Sequence, residues 1–118
     1  MEYNVRQINN FIGEYAENAK YRKDKDITLA VLGRSPSLAA YADKKLLNDK
    51  DVALAAVERD GRTLRFFSDK IRADEDVVYA AVKNFRSSYA FALGKARLNA
   101  RIAELVASGG GDTVSLLD

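Results

Sequence analysis

A stretch of sequence returns every 25 residues, and this repeat limits the fold more than any other feature. Asp24-Lys25-Asp26-Ile27-Thr28-Leu29-Ala30-Val31-Leu32 comes back as Asp49-Lys50-Asp51-Val52-Ala53-Leu54-Ala55-Ala56-Val57. It comes back again as Asp74-Glu75-Asp76-Val77-Val78-Tyr79-Ala80-Ala81-Val82. One further step reaches Asn99-Ala100-Arg101-Ile102-Ala103-Glu104-Leu105-Val106-Ala107. The second half of the unit keeps the same register: Tyr41, Phe66 and Phe91 share one position, and Leu46, Ile71 and Ala96 another. A unit this short cannot bury its apolar face alone, so successive units must stack.

Each unit reads as a pair of short helices. The first opens at Asp24, Asp49 or Asp74, whose carboxylate can accept hydrogen bonds from the unpaired N–H groups of a first turn. Asp26, Asp51 and Asp76 follow within that turn, where the helix dipole favours negative charge. Val52-Ala53-Leu54-Ala55-Ala56-Val57 is apolar nearly all round, which predicts a helix sandwiched between neighbouring units. Ala30, Ala55 and Ala80 are equivalent and small, so the helix axes are expected to approach closely there. Asp60-Gly61 is a turn signal, with Gly61 expected at positive φ. In the preceding unit Ser35-Pro36 does the same job. The second helices are expected near 36–42, 61–68 and 86–93.

The ends differ from the middle, as stacked repeats require. Val5, Ile8, Ile12, Tyr15 and Ala19 form an i, i+3/i+4 stripe that predicts one helix over 4–20 as an N-terminal cap. The last helix is expected at 99–107, closed by Ser108-Gly109. The expected architecture is thus all-α: a short, solenoid-like helical-repeat stack of about three 25-residue helix pairs with a capping helix at each end. It would form one domain over 1–108, with 1–23 as cap, 24–48, 49–73 and 74–98 as repeats, and 99–108 as the final helix. Residues 109–118 would be a flexible tail, starting at Gly109-Gly110-Gly111.

The pattern Asp49, Asp51, Val52, Leu54, Ala55, Ala56, Val57, Gly61, Leu64, Ser68 and Arg72 resembles the repeat of the domain-of-unknown-function family four-one-one-six. The resemblance covers about 24–98. It implies tandem helical units, in a family found in host-associated bacteria, protists and large viruses. It implies no activity and no catalytic residue. The third unit departs from the pattern, with Asn84-Phe85-Arg86-Ser87 at the turn and Leu93-Gly94 in place of Ser68-Asp69.

Composition removes several chemistries. The chain has no cysteine and no histidine, so thiol nucleophiles, imidazole bases and the usual zinc sites are excluded. Gly33-Arg34-Ser35-Pro36-Ser37 lacks the second glycine of a nucleophile elbow. Gly94-Lys95-Ala96 lacks the spacing of a phosphate loop. No enzyme activity, cofactor or metal is therefore expected. The paired aspartates could be read as divalent-metal ligands, but helix capping explains why they recur at helix starts. The first residues, Met1-Glu2-Tyr3-Asn4-Val5, hold no basic stretch before an apolar run. The expectation is a cytoplasmic protein, or one working in a host cytosol if another export route delivers it.

What remains is binding. Nineteen Lys and Arg stand against 17 Asp and Glu, a net charge of +2, which is no strongly basic footprint. The cations are unevenly placed, however. Arg34, Arg59, Arg62, Lys83 and Arg86 fall near the turn inside each unit, so stacking would line them along one edge. The opposite edge carries the aspartates, with Lys44/Lys45, Lys70/Arg72 and Lys95/Arg97 beside them to neutralise it. The basic edge is either a binding stripe or an ordinary solvated surface that complements helix dipoles. Phe85, beside Arg86, is either an apolar anchor in that edge or a lid over the last helix. Phe67 is expected to fill a packing gap. The expected function is a non-catalytic protein-binding scaffold, such as a pathogen- or phage-encoded adaptor or inhibitor of a host protein. The alternative is binding to a nucleic-acid phosphate backbone along the same edge, which would weaken steeply with salt.

Overall fold

The computed structural model describes residues 2–108 of the chain, so the expected tail at 109–118 lies outside the described residues. Among the described residues the protein is all-helical, with no strand. The α-helices are α1 (Val5–Glu14), α2 (Ala19–Arg22), α3 (Lys25–Leu32), α4 (Lys50–Arg59), α5 (Asp69–Arg72), α6 (Glu75–Asn84), α7 (Gly94–Arg97) and α8 (Ala100–Ala107). Between them run 3-10 helices at Tyr15–Glu17, Pro36–Tyr41, Leu46–Asn48, Gly61–Phe66 and Arg86–Phe91. No helix among the described residues is long and apolar enough to cross a membrane.

The long helices start where the aspartates predict. Asp24 accepts from the Ile27 N–H at 2.9 Å, Asp49 from Val52 at 3.1 Å, and Asp74 from Asp76 at 2.9 Å and Val77 at 3.0 Å. Asn99 repeats the cap for α8, accepting from Ile102 at 3.0 Å. Each cap satisfies donors that the first helical turn cannot pair internally.

The return leg of each unit is a six-residue 3-10 helix rather than the α-helix expected from the sequence. Geometry gives a reason. A 3-10 helix rises ~2.0 Å per residue against ~1.5 Å for an α-helix, so six residues carry the chain back over most of a ten-residue α-helix. Ala42, Phe67 and Ala92 then turn extended. The next N–H groups reach into the preceding unit: Asp43 to the Arg22 carbonyl at 3.0 Å, Ser68 to Leu47 at 3.0 Å, and Leu93 to Arg72 at 2.8 Å. Donors and acceptors alike advance by 25 residues from bond to bond.

The N-terminal segment is also broken up. α1 stops at Glu14, Tyr15–Glu17 is a 3-10 turn, and Asn18 starts α2 by accepting from Lys20 and Tyr21. The break lets Tyr15 leave the helix stripe and become fully buried, with its hydroxyl 2.7 Å from the buried Thr28 Oγ1. Tyr3, Phe11 and Tyr21 stack edge to face across the outside of this cap, at 4.9 and 5.1 Å between centroids.

The core lies between the α-helices and the 3-10 legs. The same register positions are buried in successive units: Ile27, Val52, Val77 and Ile102; Val31, Ala56 and Ala81; Leu46, Ile71 and Ala96. Phe67 is buried, as its packing role requires. In α4 and α6 the fully buried alanines are Ala53, Ala56 and Ala81, whereas Ala30, Ala55 and Ala80, expected at the close approaches, stay half-buried. The apolar run 52–57 is thus covered on most of its circumference but not all of it, since Leu54 and Ala55 face outward.

Gly61 does not take positive φ; among the described residues only Gly94 does, at 51°. Gly61 is needed for a different reason. A Cβ there would collide with the Ala81 carbonyl oxygen and sit 3.1 Å from its carbon and 3.2 Å from the Phe85 Cβ. The turn of one unit presses on the α-helix of the next, and a side chain has no room.

Candidate functional site

The α-helices of neighbouring units are tied together at their N-terminal ends, and α4 and α6 at their C-terminal ends as well. At the N-terminal ends, Lys25 Nζ lies 3.0 Å from both Asp49 and Asp51, and Lys50 Nζ lies 3.3 Å from Asp74 and 2.7 Å from Asp76. The third rung has no lysine: Asn99 Nδ2 donates to Glu75 at 2.6 Å. At the C-terminal ends, Asn84 Oδ1 accepts from the Gly61 N–H at 2.7 Å while its Nδ2 donates to the Glu58 carbonyl at 3.3 Å.

The lysine bridges set the charge at the aspartate edge. Burial works against ionisation of Asp49, but Lys25 and the Val52 N–H outweigh it and hold the carboxyl below its ordinary value. Lys50 does the same for the exposed Asp76. Both ammonium groups are correspondingly raised, Lys25 chiefly by Asp51 and Lys50 chiefly by Asp76. The cations that pair with these aspartates are therefore the lysines inside the Asp-x-Asp pairs, not the expected Lys44/Lys45, Lys70/Arg72 and Lys95/Arg97. Arg72 donates to the Phe91 carbonyl at 2.8 Å and lies 3.8 Å from Asp69, outside the caps, while Arg97 lies over the Tyr89 ring at 4.7 Å. The signal was present in the sequence: Lys25 and Lys50 share a register position between two acids.

The opposite edge holds the six residues singled out for binding, and the structure sorts them into two groups. Arg34, Arg59 and Lys83 are exposed at the C-terminal ends of α3, α4 and α6, without an ion pair among the described residues. Arg62 is committed: its Nε and Nη2 grip the two Asp60 carboxylate oxygens, each at 2.9 Å. This hold, more than burial opposes it, keeps Asp60 ionised below its ordinary range. The Arg62 guanidinium also lies 5.6 Å from the centroid of the Phe85 ring. Phe85 is half-buried against the Gly61–Arg62 turn of the preceding unit. Arg86 is half-buried and is not a free cation.

The repeat therefore does not stack these cations in one row. Only Arg34 and Arg59 share a register position, and the next step is Asn84. The difference has a structural cause. Gly61 needs an acceptor for its N–H, and Asn84 supplies it; Pro36, the equivalent of Gly61, has no N–H, so Arg59 is free to point outward. Beside these residues, Glu58, Tyr79, Ala80, Lys83 and Asn84 line a depression of about 440 Å³. A second, of about 290 Å³, is lined by Ser37, Asp60, Arg62, Thr63, Arg65 and Phe66, with the Arg65 guanidinium 4.7 Å over Phe66. Tyr79, Arg65 and Phe66 were not singled out from the sequence as site residues. Tyr79 was findable, because it replaces Leu29 and Leu54 in register.

No group of three or more potential metal ligands comes together among the described residues. No curated protein and no solved structure matches the chain. The caps, lysine bridges and backbone bonds between units all recur at the spacing seen in the sequence. The sequence profile of the Domain of unknown function (DUF4116) matches at the same interval, over residues 24–72 and again, one period on, over 49–93. Together these matches span more than half of the chain, and the protein belongs to that family.

Proposed function

We propose that the protein is a non-catalytic protein-binding scaffold. In this reading it is a short solenoid of three 25-residue units, 24–48, 49–73 and 74–98, held between the N-terminal cap and α8. The partner contacts the edge formed by the C-terminal ends of the α-helices. The observation that carries the reading is the contrast between the two edges. At the aspartate edge Lys25 and Lys50 each bridge two carboxylates of the next unit, whereas Arg34, Arg59 and Lys83 stand exposed with no ion pair among the described residues. An adaptor or inhibitor acting on a host protein fits such a scaffold. The same cations favour a second reading, contact with a nucleic-acid phosphate backbone, although Glu58 beside Arg59 works against it.

The test compares the parent with the triple variant Arg34→Glu, Arg59→Glu, Lys83→Glu, both immobilised and exposed to extracts of the source cell and of any host. Arg62 is left alone because its charge already serves Asp60. A protein retained by the parent and lost by the variant, with superimposable melting curves, is the expected result. Equal retention would remove the partner from this edge. Binding of short oligonucleotides that collapses with added salt would favour the second reading instead.

A further inference from the structure

In α3, α4 and α6 two register positions are apolar yet only half-buried: Leu29, Leu54 and Tyr79, and beside them Ala30, Ala55 and Ala80. Because neighbouring helices are tied in register at their N-terminal ends, equivalent residues sit side by side. The larger side chains make a ridge and the alanines a trough, both running across the helices. The ridge ends at Tyr79. This residue walls the depression of about 440 Å³ shared with Ala80 and Lys83, and another of about 190 Å³ lined by Arg101, Glu104, Leu105 and Ser108. The Arg101 guanidinium lies 4.4 Å over its ring and holds it in place.

The two rims of the trough differ in charge. On the N-terminal rim, Asp51 and Asp76 already share lysines with their neighbours. On the C-terminal rim, Arg59 and Lys83 are exposed without ion pairs among the described residues, and only Glu58 lies between them as an acid. The surface is thus apolar along its middle and carries surplus positive charge along one side. Packed helices lie roughly 8–10 Å apart, and two turns of an α-helix advance about 10.5 Å. A helix laid across α3, α4 and α6 would therefore present the same face to each of them at every seventh residue.

We propose that this trough receives an amphipathic helix of a partner protein, with its apolar face against Leu54, Tyr79 and Ala80 and its acidic flank against Arg59 and Lys83. The proposal rests on the scaffold reading above and supplies the partner's chemistry. Apolar contact gives the helix its seat, and the charged rim sets its direction and excludes basic helices. A phosphate polymer would meet the same cations but has no apolar stripe with which to fill the trough.

The probe is a fluorescent peptide of roughly three heptads, with leucines at heptad spacing and glutamates along one flank. Its controls are the same peptide with lysines replacing the glutamates, and polyglutamate. Anisotropy titrations should show the acidic amphipathic peptide binding at least about tenfold more tightly than either control. Arg59→Glu with Lys83→Glu should weaken it by about tenfold, and Tyr79→Ala by about tenfold or more, with melting curves checked for each. The charge variants alter only exposed side chains and remain informative if Tyr79→Ala fails to fold. Equal binding of the lysine peptide, or of polyglutamate, overturns the proposal, and so does an absence of binding at concentrations on the order of 1 mM. If the peptides fail while the extract partner still depends on Arg34, Arg59 and Lys83, the scaffold reading stands with a partner of other chemistry. If the peptides bind but no partner depends on the edge, it is the scaffold reading that fails.

Discussion

Gly61 and Thr28 show how single residues carry the contacts between units. Adding a Cβ at Gly61 drives it into the Ala81 carbonyl, which is backbone and cannot rotate away. Gly61→Ala should therefore cost about 2 kcal/mol or more, in the range of overpacked interiors. Gly13, in α1, has open space where its Cβ would go, so Gly13→Ala should instead gain up to about 1 kcal/mol of helix propensity. Chemical denaturation of the two variants checks both signs. Thr28 and Tyr15 hydroxyls bond to each other with both residues fully buried. Burial pushes the Tyr15 phenol up, with the Thr28 bond acting against it. Thr28→Val strands that phenol and should cost about 1–3 kcal/mol, whereas adding Tyr15→Phe to the same chain should recover much of the loss. A double variant no better than Thr28→Val would show that shape, not the hydrogen bond, sets the cost.

The helix starts combine two interactions, capping and ion pairing. Asp74 accepts two backbone N–H groups and also meets Lys50. The cap should dominate, because Lys50 is largely exposed and such pairs contribute about 0–1 kcal/mol. Asp74→Ala is expected to cost about 0.5–2 kcal/mol, while Asp74→Asn, which keeps the cap and drops the charge, should be nearly neutral. Asn99 already caps α8 in this way. Equal losses in the two variants would mean that the charge is what matters. These starts were legible because a cap needs only a short polar residue next to an apolar run. The 3-10 legs were not, since six residues with an apolar pattern fit either helix type until the distance they must span is known.

Over the whole molecule the bridges tie unit to unit, so they should be visible in the response to pH. Asp49 and Asp76, bridged between units, and Asp60, held by Arg62 within its own turn, have carboxyls below their ordinary values. Their contribution is present above the unfolded value, about pH 4, and disappears as pH falls through the lower folded values. Lys25 and Lys50 are raised, so their contribution is complete below about pH 10 and disappears as pH rises through the folded values. The melting temperature should therefore form a plateau between these limits and fall on both sides. Lys25→Met with Lys50→Met should flatten the alkaline fall in particular, and high salt should shrink both falls at these exposed sites. An unchanged alkaline limb in that variant would show that the bridges do not couple the units.

Local rules alone were enough for the period and for the starts of α3, α4, α6 and α8. A capping side chain, an apolar spacing and a 25-residue recurrence need no knowledge of what lies across the chain. The position of Arg34, Arg59 and Lys83 at the C-terminal ends of α3, α4 and α6 was legible on the same terms. Packing between units, by contrast, left Gly61 no space for a side chain and joined one unit to the next through Lys25 and Lys50. It also placed Ala30, Ala55 and Ala80 on the outside, where they leave a trough beside Tyr79. One cause is common to all three. Each depends on the distance and angle between neighbouring units, and that packing is set by contacts some 25 residues apart, which no single repeat contains.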